Sequence, residues 1–261
     1  MGALLLDHDP RTTPVVALTA YFDASGHPDQ GKQLVVCGWL SFEPRWRQFE
    51  RAWQKALNTA EVQTFHMKDF AASRGEFSGW KYKEKKRAKF LERLVSITVE
   101  HVAWSFAAVV VLDDWRKANA RYMLEEQKLK PYPLCGHTCV DLVRIWCDEH
   151  GYDKDHVVYW FERGDKDQGM LRDRVFQDFG VEVHFEGKQM LPLQAADFAA
   201  WEELKIMGEN PKRLSDVRRS FGGLFGRVSY THQHFSLTPT SHRPPSLVRY
   251  CQDMNVPERI V

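Results

Sequence analysis

Val102 to Leu112 reads VAWSFAAVVVL, with one serine as its only polar residue. A strand with one face in water alternates apolar and polar side chains, whereas a strand apolar throughout needs cover on both faces. The run is far short of the roughly 18 apolar residues needed to cross a bilayer. It predicts a central strand of a sheet sandwiched between helices, and the rest of the chain has to supply both layers.

The flanking segments fit that demand. Val15 to Phe22 is a buried first strand, broken by Asp23-Ala24-Ser25-Gly26, and residues 33–42 (QLVVCGWLSF) read as a second strand joined to it by a short polar connection, so an antiparallel hairpin is expected. Pro44 opens a helix with Trp46, Phe49, Trp53 and Leu57 on one face. Residues 65–70 (FHMKDF) have no clear period, and a Gly-containing polar loop follows to about Gly79. Helices are expected over 82–98 and 137–149, a fourth strand over Val157–Phe161, a short helix over 169–178, a fifth strand over Val181–Phe185 and an apolar helix over Leu193–Met207. Beyond residue 208 the chain turns basic and Gly-rich, then Pro/Ser/His-rich, which predicts an irregular extension with one short helix near Ser246–Cys251. The order implies an α/β fold: a mixed five-stranded sheet with helices on both faces, a helical insertion and an irregular basic C-terminal tail. A 261-residue chain with 43% hydrophobic residues suits a single domain, with its core at about 15–207 and an extension at 208–261.

A net charge of +1 excludes a uniformly basic nucleic-acid binder, so any such affinity must come from local patches. Five cysteines at irregular spacing, with His137 and His150 nearby, match neither a disulfide framework nor paired zinc motifs and read as buried thiols. With only Ala3 to Leu6 as an N-terminal apolar run, the expectation is a reduced cytoplasmic protein without a membrane span.

Three carboxylates stand out by placement. Asp23 and Glu162 end the first and fourth strands, and ligands of open α/β sheets bind beyond strand ends. Asp197 has Leu193, Ala200, Trp201 and Leu204 as its helical neighbours, so it lies inside the apolar stripe. A carboxylate facing a core costs several kcal/mol unless it is paired or bound to a cation. Convergence of the three would call for divalent metal, and all-oxygen ligands suit Mg²⁺ or Mn²⁺. Two ions about 4 Å apart would bracket an in-line attack on a phosphodiester. Taken singly, Asp23 before Ser-Gly also reads as a turn former, and Glu162 beside Arg163 as a solvated pair.

The segments YFDASG, FHMKDF, FERGDK and PLQAADFAAW, in this order, resemble the bacterial and phage family called domain of unknown function 3800. The resemblance runs from about residue 17 to about 205 and implies a ribonuclease H-like fold with a metal-dependent nuclease site. It carries Asp23 onto the first Asp of the family's Asp-Glu-Ser-Gly motif, and Gln194 and Asp197 onto its Gln-x-x-Asp helix. It places an acid on the strand of Glu162. Ala24 stands where the family usually has Glu, a departure that bears on metal affinity.

Around this trio, His66 and Asp69 share a helical face if FHMKDF is helical, and Lys68 is placed to meet a phosphate. Asp165 and Asp167 are alternative ligands to Glu162, or a turn capping the next helix. The basic run 81–89 and the cluster Arg213, Arg218, Arg219 and Arg227 are candidates for a phosphate-binding groove, or else solvated faces. The expected function is a metal-dependent nuclease cutting DNA or RNA by a two-metal mechanism. Two alternatives stand beside it: a catalytically degenerate nucleic-acid-binding or interaction protein on the same fold, and a metal-dependent small-nucleotide phosphoesterase.

Overall fold

The computed structural model describes residues 17–27, 31–208, 224–236 and 246–259. Strands β1 (Leu18–Ser25) and β2 (Gln33–Phe42) form the expected antiparallel hairpin, and β3 (Trp104–Val111) lies antiparallel to β2. Beyond β1, β4 (Val158–Glu162) and β5 (Val183–Glu186) add in parallel. A sixth strand, β6 (Ser229–Phe235), pairs in parallel with β3, giving the order β5-β4-β1-β2-β3-β6.

Helices cover both faces. One layer contains α4 (Leu112–Arg121), α5 (Pro131–His150), α6 (Gln168–Phe179) and α8 (Ser246–Asp253). The other contains α1 (Glu43–Ala60), α2 (Met67–Ala72), α3 (Glu84–His101) and α7 (Leu191–Gly208). The apolar run in β3 is thereby explained. Phe106, Ala108 and Val110 pack into the first layer's core, and Ala107 and Val109 into the second. On α1, the residues Trp46, Phe49, Trp53 and Leu57 are all buried, and Trp46 Nε1 donates to the Thr19 carbonyl at 2.9 Å, fixing the helix across β1.

Four expectations are corrected. The sheet has six strands, not five, because the C-terminal extension is not irregular throughout. The sequence SYTHQHF carries too many polar residues to read as a strand, yet β6 needs only one ladder partner and half-buried faces. Strand β1 does not stop at Phe22; Asp23, Ala24 and Ser25 continue it against β2. Helix α4 begins at Leu112, with Leu112, Trp115 and Ala118 buried at helical spacing. Helix α5 begins at Pro131, six residues early, its first turns disguised by two prolines and Gly136. That glycine is a packing residue: a Cβ there would sit 2.8 Å from Leu171 Cδ2 of α6.

Arg213, Arg218 and Arg219 lie outside the described residues, whereas Arg227 is described and exposed. Among the described residues no helix is long and apolar enough to cross a membrane. All five cysteines are buried and free.

Candidate metal centre

The site is assembled by register. Strands β1 and β4 run parallel, and their last matched pair is Phe22 with Phe161, whose rings stack at 5.1 Å in the α5–α6 core. The next residue on each strand is acidic. Side chains alternate along a strand, so Asp23 and Glu162 emerge side by side on the opposite face, toward α7. Helix α7 is docked there by Trp39 Nε1 of β2, which donates to the Ala195 carbonyl at 3.0 Å. Asp197 thus faces the strand ends, and one carboxylate oxygen from each of Asp23, Glu162 and Asp197 lies within 4.8 Å of the others.

Ala24 lies against the α5 core, on the face away from the trio, and its N–H donates to Asp23 Oδ1 at 2.6 Å. A glutamate at this position would leave the strand on the face opposite Asp23, so the departure from the Asp-Glu-Ser-Gly motif removes no acid from the trio's own face.

Sequence reasoning missed the residue at the middle of the site. Lys188 places Nζ 2.5 Å from Glu162 Oε1, 3.3 Å from Asp197 Oδ1 and 3.4 Å from Asp23 Oδ2. A single lysine in the loop GKQM carries no periodic signal; only its position just ahead of the Gln-x-x-Asp helix hinted at it. Gln194 of that helix holds the lysine's backbone. Its Nε2 donates to the Lys188 carbonyl at 2.7 Å, while its Oε1 accepts from Trp53 Nε1 at 2.9 Å and from the Phe65 N–H at 3.1 Å. One buried amide therefore ties α1, the segment leading into α2 and the loop before α7 into a single frame.

The segment FHMKDF supplies the other wall. The Met67 N–H donates to Asp197 Oδ2 at 2.6 Å, His66 Nε2 lies 3.4 Å from Asp197 Oδ1, and His66 Nδ1 lies 3.1 Å from Asp69 Oδ2. His66 and Asp69 do share a turn, with His66 at the N-cap of α2 and the chain of contacts running Asp69–His66–Asp197. Lys68 is exposed on the same turn.

Burial dominates the electrostatics. Asp23 is pushed well above the usual carboxylate range by burial and by its hydrogen bond with Glu162, against the pull of Lys188. For Glu162 burial pushes upward too, but the hydrogen bond with Asp23 and the Lys188 ammonium prevail and hold it below its ordinary value. Asp197 is raised by burial, opposed by Lys188, His66 and the Met67 N–H. The three carboxylates are not equivalent: Asp23 and Asp197 are shifted toward their protonated forms, Asp23 the more strongly, whereas Glu162 is held toward its ionised form.

Asp165 falls outside the trio. Burial first, then Glu162 and Asp167, raise it to about 6. Asp167 occupies the N-cap of α6 without a capping hydrogen bond and lies 3.6 Å from Lys130 Nζ. Part of the basic run is structural: Arg87 donates to Ser73 Oγ at 2.9 Å and the Phe70 carbonyl at 2.8 Å, closing the end of α2, and Lys86 Nζ sits 4.0 Å over the Trp80 ring. The lysines of the run are exposed, with Tyr82 84% exposed among them. Beside the centre, starting at Arg163, a surface groove of about 890 Å³ runs along β5 between Trp160, Arg172, Phe176 and His184.

On donor chemistry the trio fits a hard divalent ion, since every ligand atom is a carboxylate oxygen. Lys188 competes for the same oxygens. No family model matches the chain, and no curated protein matches it.

Proposed function

We propose that this chain is a divalent-metal-dependent phosphodiesterase acting on DNA or RNA, with a ribonuclease H-like sheet and kinship to the domain of unknown function 3800 family. The observation that carries the reading is the convergence of Asp23, Glu162 and Asp197, from two adjacent parallel strand ends and one helix, with ligand oxygens within 4.8 Å. The hairpin-first mixed sheet supports the fold reading, and the four motif segments support the family reading.

Mg²⁺ or Mn²⁺ held by the trio would activate water and stabilise charge on the phosphate. The chain's own residues prepare that site. The Met67 N–H and His66 orient Asp197, and Gln194 fixes the loop that carries Lys188. The groove along β5 carries Arg163 and Arg172 with the exposed Phe176 ring, balanced by Asp173 and Glu182, so its open shape rather than its charge favours a polymer over a small nucleotide held in a closed pocket.

The test is incubation of purified protein with single- and double-stranded DNA and RNA in Mg²⁺, Mn²⁺ or excess chelator. Cleavage of at least one polymer with metal, lost in chelator and in Asp197→Asn, is expected. Robust cleavage in chelator, or none in any condition, overturns the nuclease reading. Lys188 favours a second reading, in which the ammonium permanently occupies the space between the three carboxylates and the protein binds nucleic acid without cutting it. Metal-independent polymer binding without cleavage is its signature.

A further inference from the structure

We propose that Lys188 is a resident cation of the acidic centre and takes the place of a second metal ion, so that the chain binds one divalent ion rather than two. The inference rests on the metal-dependent reading above and specifies its stoichiometry.

Three observations carry it. The first is position. Nζ is within 2.5–3.4 Å of an oxygen from each of the three carboxylates, the space in which a bridging ion would sit. The second is anchoring. The Lys188 side chain is only 16% exposed, and its backbone carbonyl is bound by Gln194, whose own acceptor oxygen is held by Trp53 and Phe65. The ammonium can shift on its flexible stem, but the loop that delivers it is fastened to the core.

The third is ligand supply and charge. Of the six oxygens of the trio, Asp23 Oδ1 and Asp197 Oδ2 already accept backbone N–H groups at 2.6 Å each. Three of the other four, Asp23 Oδ2, Glu162 Oε1 and Asp197 Oδ1, lie within 3.4 Å of the Lys188 ammonium, so any metal ion has to share its oxygens with that cation. With all three carboxylates ionised, as metal ligation requires, the trio carries a charge of −3, which one divalent ion and one ammonium balance. Two divalent ions beside the same ammonium would leave an excess of +2 in a largely buried site, which is strongly unfavourable.

The deciding measurement counts ions. Metal-stripped full-length protein is titrated with Mn²⁺, and free Mn²⁺ is followed by electron paramagnetic resonance for wild type, K188M and K188Q. D197N serves as the control that assigns binding to this centre. Melting curves in chelator establish that each variant is folded, and K188Q keeps a polar side chain if K188M is not. One Mn²⁺ per wild-type chain is expected. In the lysine variants a second should appear, with the first bound roughly tenfold or more tightly because a competing charge is gone. Two ions per wild-type chain overturn the inference, as does one ion bound equally tightly by wild type and the lysine variants. Binding by the variants but not by wild type also overturns it and marks Lys188 as a permanent plug. No Mn²⁺ bound by any of these proteins refutes the metal reading itself, a result distinct from the others.

Discussion

Replacing Asp197 by Asn tests whether this carboxylate serves metal or architecture, and the contacts allow the effect to be worked out. The amide keeps the shape, and its oxygen can still accept the Met67 N–H that Asp197 Oδ2 now accepts at 2.6 Å. Its NH₂ must then face Lys188 Nζ and His66 Nε2, which lie 3.3 and 3.4 Å from Oδ1. Losing a charge-assisted contact costs roughly 1.5–3 kcal/mol. The larger penalty of about 3–5 kcal/mol for leaving a buried charge uncompensated does not apply, because Lys188 keeps Glu162 at 2.5 Å. Removing one of three mutually repelling carboxylates returns part of the loss. The net is a metal-free protein destabilised by about 1–2 kcal/mol, a fall in Tm of roughly 2–8 °C for a chain of this size. Mn²⁺ at a hundredfold excess over Kd should then stabilise wild type by about 2.7 kcal/mol and the variant far less. Differential scanning calorimetry of both proteins, in chelator and in Mn²⁺, reads all four states. A variant that melts with or above wild type in chelator refutes the contact analysis; equal Mn²⁺ shifts in the two proteins refute the ligand role.

Two further expectations are independent of metal. Asp165 is raised from its ordinary 3.8 to about 6 in the fold, so the fold favours its protonated form. The resulting destabilisation is absent below about pH 4, grows as pH rises through 6 and then levels off, at about 1–3 kcal/mol. Asp165→Asn should therefore raise stability at pH 8 but not at pH 4 in chelator, by urea denaturation; an equal gain at both pH values would place its cause elsewhere. Gly38 pairs with Phe22 in the hairpin, and a Cβ there would lie 1.9 Å from the Tyr21 carbonyl oxygen. Gly38→Ala should destabilise by about 3 kcal/mol or more through forced separation of β1 and β2, and a change under 1 kcal/mol would contradict the register.

What the sequence made legible was whatever repeats or violates a repeat. The uniform apolar run of β3 announced an inner strand, and Asp197 declared itself by interrupting the stripe of α7. Asp23 and Glu162 were legible as strand-end acids, although β1 runs past Asp23 because β2 continues to pair with it after β4 has ended. Lys188 was not legible, because a loop residue acquires its meaning only from the three chain-distant carboxylates around it. Strand β6 was hidden for a different reason: an edge strand with half-exposed side chains has no apolar signature to read. The motif glutamine could be aligned but not explained, since its partners come from Trp53 and Phe65, more than a hundred positions away.

That edge strand changes how the C-terminal extension should be regarded. Seven register pairs join β6 to β3, and a short antiparallel bridge joins Glu258 to Tyr122 of the segment after α4, with Arg121 Nη2 3.2 Å from Glu258 Oε1. A chain ending at Gly208 would retain every acid of the trio yet leave β3, its most apolar strand, with a bare row of amide and carbonyl groups. Such an edge is a template for another chain. Strand β6 thus covers the most apolar edge of the sheet, and shortening the protein to its acid-bearing core should yield an aggregate rather than a soluble minimal domain.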